Sequence, residues 1–182
     1  MAMKSKNRRR TDAGFTLIET MIALVVLAVG VLALGAMLGD GLAYMAMSQD
    51  EYIAEQKAAE AVESVYTARD VGQTTWANIN NVSAGGIFTD GATQLCDPGL
   101  DGIEGTADDN CAIPDSIWTP GPDGKLGTAD DIRIPLSSFT RTILIQPVAG
   151  RADLRQVTVS ITYTAAKFRR TYTLVTNISQ YS

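Results

Sequence analysis

Residues 14–39 read GFTLIETMIALVVLAVGVLALGAMLG. Within them, Thr20 to Gly39 is a run of twenty residues without a charge. A helix of that length spans about 30 Å, the hydrocarbon thickness of a bilayer. Five cations precede it, Lys4, Lys6, Arg8, Arg9 and Arg10. They favour the cytoplasmic side for the N-terminus, which places the rest of the chain outside the cytoplasm. A plain signal-anchor accounts for such a run. So does a secretory signal peptide, for which Ala33-Leu34-Gly35 offers small residues at a cleavage spacing. Neither has a use for Glu19. A carboxylate deep in a bilayer costs about 2.5–3.5 kcal/mol.

An Arg-rich leader, GFTLIE over residues 14–19 and a long apolar helix together resemble the type IV pilins and the type II secretion pseudopilins, over about residues 8–70. The stretch is most similar to minor pilins of the PilV-like subgroup, with minor pseudopilins as close relatives. The resemblance implies that a membrane prepilin peptidase cuts between Gly14 and Phe15 and N-methylates Phe15. Glu19 then becomes the fifth residue of the processed chain, which runs from Phe15 to Ser182. Cleavage before the apolar stretch keeps the helix, whereas an ordinary signal peptidase removes it. The new amine at Phe15 is a cation at the membrane edge. Glu19 can pair with such an amine on its own chain or on a neighbour, which offsets its burial and sets the axial register between subunits. The plainer role for Glu19 is a seat at the headgroup level.

Composition excludes several other functions. The chain has 182 residues, no histidine, two cysteines and a net charge of −5. That length suits one domain with an appendage. Ser–His–Asp and Cys–His machinery, His-ligated zinc or haem, and a four-thiolate site are all impossible. The acidic balance argues against a nucleic-acid partner. With no nucleophile elbow, phosphate loop or cofactor fingerprint, no enzymatic activity is expected.

Three segments are expected: a basic leader over 1–14, a long helix over 15–71 that crosses the membrane at about 17–39, and a head over 72–182. No proline precedes Pro98, so one helix can run unbroken from Thr16 to Asp70, roughly 80 Å. Its second half is amphipathic. Met45, Tyr52, Ala59 and Tyr66 fall at sevenfold spacing with Val62 and Val65 beside them, and Glu51, Glu55, Glu60 and Glu63 take other faces. Gly72 is the expected stop. Residues 73–95 are turn-rich, with Trp76, Ile79, Val82, Ile87 and Phe88 as anchors and one short strand near Ile87. Thr140–Gln146, Gln156–Thr164 and Phe168–Ile178 read as strands, with turns near Ala149–Asp153 and Ala165–Lys167. Val157, Val159, Ile161 and Tyr163 share one face. The fold class is therefore α+β, a long helix packed on an antiparallel sheet of about three to four strands, which is also the pilin fold that the resemblance implies.

Charge is unevenly spread. Residues 97–131 hold nine acids and one cation, while Arg133 to Ser182 holds seven cations and one acid, Asp153. The basic segment makes either a solvated sheet face or a contact with the acidic loop or with an acidic neighbour. The acidic segment is an internal repeat. PGLDGIEGTADD at 98–109 matches PGPDGKLGTADD at 120–131 at nine of twelve positions, offset by 22. The shared carboxylates are Asp101, Asp108 and Asp109, and Asp123, Asp130 and Asp131. Oxygen-only donors with glycine turns suit Ca²⁺, with carbonyls near Ile103 and Thr106 completing a shell. The spacing is not that of an EF-hand. A solvated turn-rich loop is the plain alternative, although turn preference alone does not explain a near-duplicate of this length. Cys96 and Cys111 bracket the first copy, and outside the cytoplasm such a pair is most simply a disulfide.

The function expected from this reading is that of a minor type IV pilin, a single-pass inner-membrane subunit with its N-terminus cytoplasmic and its head periplasmic, then extracellular in an assembled pilus. Its partners are other pilin or pseudopilin subunits and the prepilin peptidase. The alternatives are a minor pseudopilin of a type II secretion system and a pilus-borne, calcium-stabilised adhesive head.

Overall fold

The structure is a computed structural model that describes residues 14–72, 74–165 and 168–181. The expected leader lies outside the described residues up to Ala13, as do Ala166 and Lys167 of the second expected turn. The chain forms two compact units, residues 1–44 and residues 45–182.

Helix α1 (Leu17–Asp70) is continuous, as the absence of proline allows. Thr16 caps it, its hydroxyl accepting the Glu19 amide at 3.3 Å. At the other end the chain turns through Gly72 with φ +65°, a left-handed conformation that glycine adopts without a Cβ penalty. In the first unit the apolar side chains of the helix point outward all round, from Leu17 to Leu42. This is one helix long and apolar enough to cross a membrane. An all-round apolar surface is stable only inside lipid or other protein.

The second unit holds a four-stranded antiparallel sheet in the order β1-β6-β7-β8. Its strands are β1 (Thr93–Gln94), β6 (Thr140–Val148), β7 (Arg151–Ala165) and β8 (Phe168–Ser179). The period-two pattern settles its faces. Val157, Val159, Ile161 and Tyr163 are buried on β7, and Tyr172, Leu174, Thr176 and Ile178 turn the same way on β8. The β6–β7 turn is tighter than expected, only Ala149 and Gly150, the latter at φ +74°.

The helix face that meets this core differs from the expected one. Ala54, Ala58, Ala61 and Ala68 are fully buried, with Ile53 and Val65 beside them. Of the expected face, Val65 lies in the core and Val62 and Tyr66 are half-buried against it, whereas Met45, Tyr52 and Ala59 are exposed. Close-packing there selects alanine over larger apolar residues. Ile79 and Phe88 anchor the segment after the helix, but Val82 is exposed. The strand expected near Ile87 is a single bridge between Asn81 and Phe88. Two short hairpins complete the head. β2 (Cys96–Asp97) pairs with β3 (Asn110–Pro114), and β4 (Ser116–Thr119) pairs with β5 (Ile132–Pro135). Each closes over one copy of the acidic repeat, where open loops were expected.

Candidate functional site

Three groups of residues carry the expected chemistry. The first is the start of α1. Phe15 and Glu19 are exposed, and Gly14 precedes them in irregular backbone. Thr16 and Glu19 stand in the S/T-x-x-E arrangement that caps a helix start, and a carboxylate in the first turn also faces the positive end of the helix dipole. That local role for Glu19 was readable from the spacing and comes in addition to any pairing between subunits.

The second group is the repeat, whose two copies share one conformation. Asp101 Oδ1 accepts the Ile103 amide and Asp123 Oδ1 the Lys125 amide, both at 2.8 Å. Thr106 donates to Asp108 Oδ1 and Thr128 to Asp130 Oδ1, both at 2.7 Å. Asp109 Oδ2 accepts the Gly105 amide at 2.8 Å, and Asp131 Oδ2 the Gly127 amide at 2.7 Å. A Cβ on Gly99 would come within 2.2 Å of Asp108 Oδ2, and one on Gly121 within 2.1 Å of the Asp130 carbonyl. Seven of the nine matching positions are thus ones this loop conformation uses, Gly102 and Gly124 among them through their positive φ. The Thr106 and Thr128 hydroxyls hold Asp108 and Asp130 below the usual carboxylate range.

Two of the three mismatches record different surroundings. Ile103 and Glu104 are buried, whereas Lys125 and Leu126, their counterparts, are exposed; at the third, Leu100 and Pro122 are both exposed. The first copy is embedded in the head. Its Glu104 amide donates to Ser64 Oγ of the helix at 3.2 Å, and its Glu104 carboxylate pairs with Arg141 of β6, a side chain only 1% exposed. Arg141 also reaches Asp109 at 3.2 Å. Burial pushes Glu104 and Asp109 up from the usual carboxylate range, against the pull of the guanidinium they share. Nearby, Lys57 of the helix bonds Glu60 at 2.5 Å and Asp115 at 2.8 Å. One part of the basic C-terminal segment therefore does contact the acidic loop, through Arg141. The second copy is displayed to solvent.

For a hard cation two observations matter. Oδ1 of Asp109 and Oδ1 of Asp131, equivalent atoms in the two copies, are buried without a hydrogen-bond partner. Orphaned carboxylate oxygens of that kind fit Ca²⁺ chemistry. Among the described residues, however, the trio of carboxylates whose oxygens lie within 4.8 Å of one another is Glu60, Glu104 and Asp115, not the six expected ligands. Lys57 already supplies a cation to two of that trio.

The third group is the disulfide, which joins Cys96 to Cys111 as expected and ties the two strands of the first hairpin. Asn81 escaped the sequence reading. Buried, it donates to the Ile143 carbonyl at 2.7 Å and accepts the Ile145 amide at 2.8 Å, closing the edge of β6. A single polar residue between turns carries no periodic signal that would mark it.

Among families of known proteins, the prokaryotic N-terminal methylation motif matches residues 9–35. The match spans Arg9 and Arg10, GFTLIE and the first turns of the apolar helix. It supports a type IV pilin- or pseudopilin-like protein, membrane-anchored, structural rather than enzymatic, and in general processed by a peptidase and assembled with other subunits. No curated protein and no solved structure matches the chain.

Proposed function

We propose that the chain is a minor type IV pilin, cut between Gly14 and Phe15 by prepilin peptidase and assembled into an extracytoplasmic filament through α1. One observation carries this reading: the apolar part of α1, most of it within the matched motif, is exposed on every side. It requires a bilayer first and neighbouring helices afterwards. Glu19, at the head of that helix, is the group that neutralises the new amine of Phe15 and aligns subunits. The N-terminus lies in the cytoplasm and the head in the periplasm before export. A minor pseudopilin of a type II secretion system has the same parts. Intact mass and N-terminal peptide analysis of the protein from its native membrane test the reading. The expected first residue is methylated Phe15; a start near Gly35 or Ala36 would mean a secreted head without its helix and would end the filament reading.

A calcium-stabilised head is the second reading, favoured by the paired orphan oxygens of Asp109 and Asp131. Asp101, Asp108 and Asp109 would hold one ion, and Asp123, Asp130 and Asp131 another. The ion would supply positive charge to loops otherwise held together by backbone amides. Calorimetric titration of the full chain with Ca²⁺ is expected to show binding that Asp101→Ala with Asp123→Ala abolishes. Heat unchanged by that double substitution would remove these ligands from consideration.

A further inference from the structure

Along one edge of the main sheet, much of the outward backbone is answered within the chain. On β6, Phe139, Arg141, Ile143 and Ile145 meet Leu95, Thr93 and Asn81, and Pro147 has no N–H to offer. The other edge is β8. Gln180 donates to the Asp153 carbonyl, so the even-numbered residues of β8 face β7 and the odd-numbered ones face outward. Tyr66 covers the Asn177 carbonyl and Arg69 the Ser179 carbonyl. Arg169, Thr171, Thr173 and Val175 remain, with no partner for their outward N–H and C=O groups among the described residues. This stretch has no proline, no bulge and no charge beyond Arg169 and Arg170. Exposed strand edges usually carry such devices, because bare edges pair with other chains.

A matching surface lies elsewhere on the head. β5 belongs to a hairpin of only two strands, its Ile132 and Ile134 are 56% and 40% exposed, and Asp130 and Asp131 stand immediately before it. The geometry points to strand addition between copies of this chain, β5 of one (Ile132–Pro135) lying parallel to the open edge of β8 of the next. Both strands begin with a charged pair, acidic before β5 and basic at the start of β8. Parallel alignment sets Asp130 and Asp131 beside Arg169 and Arg170, whereas antiparallel alignment sends them to opposite ends. Neither arginine forms an ion pair among the described residues. The contact joins two different surfaces, so it propagates as an open array instead of closing into a dimer. Only Arg133 and Pro135 of β5 turn their backbone outward, and Pro135 has no N–H, so the contact is weak in solution, and confinement on a shared membrane or filament raises the effective concentration that it needs. The inference rests on the filament reading above.

Two full-length variants that each add one cysteine to the native pair, Ile134→Cys and Thr173→Cys, are expressed together in the native membrane with distinct tags and oxidised in chelator. The expected product is the mixed dimer. Adding Arg169→Glu and Arg170→Glu to the second variant is expected to cut its yield about tenfold. Thr173→Cys joined to itself would mean β8 pairs with β8 and would overturn the assignment. So would absence of the mixed dimer in a chain that starts at methylated Phe15 and keeps the Cys96–Cys111 bond, an outcome that leaves the filament reading standing. A chain lacking that start counts against the filament reading itself.

Discussion

Arg141→Ala is expected to destabilise the head by about 3–5 kcal/mol, the cost of breaking a buried ion pair from one side. The guanidinium serves Glu104 and Asp109 at once, and all three side chains are at least nine-tenths buried. Removing it leaves two carboxylates in low dielectric with no cation, a loss that is large against the roughly 5–15 kcal/mol by which domains are stable. The second copy of the repeat suggests the repair. Leucine stands at its position equivalent to Glu104, in a loop of the same conformation. Arg141→Met combined with Glu104→Leu is therefore expected to recover part of the loss, because apolar groups replace the Arg141–Glu104 pair at little cost while Asp109 stays buried without its guanidinium. Denaturant unfolding of the three proteins reads this directly. A loss below about 1 kcal/mol for Arg141→Ala would mean that the pair behaves as a solvent-screened one.

Cys96→Ser with Cys111→Ser is expected to cost about 3 kcal/mol, the chain-entropy value for a closed loop of this size. The separation is 15 residues. The loss should be concentrated in the first hairpin. Hydrogen exchange at the Gly105 amide, bonded to Asp109, is expected to accelerate while exchange at the Gly127 amide, bonded to Asp131 in the unstapled copy, stays as it was. Equal acceleration at both would show that the two hairpins open as one unit. Reduction without mutation should reproduce the effect.

The comparison of the two copies shows where reading a sequence succeeds. Turn glycines and Asp–backbone bonds act over two to four residues, so a nine-position match carried the whole loop conformation with it. The three long strands of the main sheet were equally legible, because alternation of apolar and polar residues is a local pattern with a fixed period, whereas its two-residue strand Thr93–Gln94 was not. The short hairpins were not. A four-residue strand such as Ile132–Pro135 holds too few alternations to separate it from a loop, and β2 has only two residues. The helix face was misjudged for a different reason. The sevenfold spacing of Met45, Tyr52, Ala59 and Tyr66 weighs side chains by size, whereas the side chains buried in the core are the small ones of Ala54, Ala58, Ala61 and Ala68.

Taken by itself, the sequence determined whatever depends on neighbours along the chain: an apolar run of bilayer length behind GFTLIE, an unbroken helix ending at Gly72, a strand alternation, and a loop written twice. Only the tertiary structure decided which alanine stripe is buried and which copy of the loop is embedded. Arg141 lies 37 residues from Glu104, and Ser64 lies 40. No local spacing links them, because they meet only after the sheet has brought β6 and the helix together around the first hairpin. The second hairpin differs at the very positions that would have entered that contact, and so it stays at the surface.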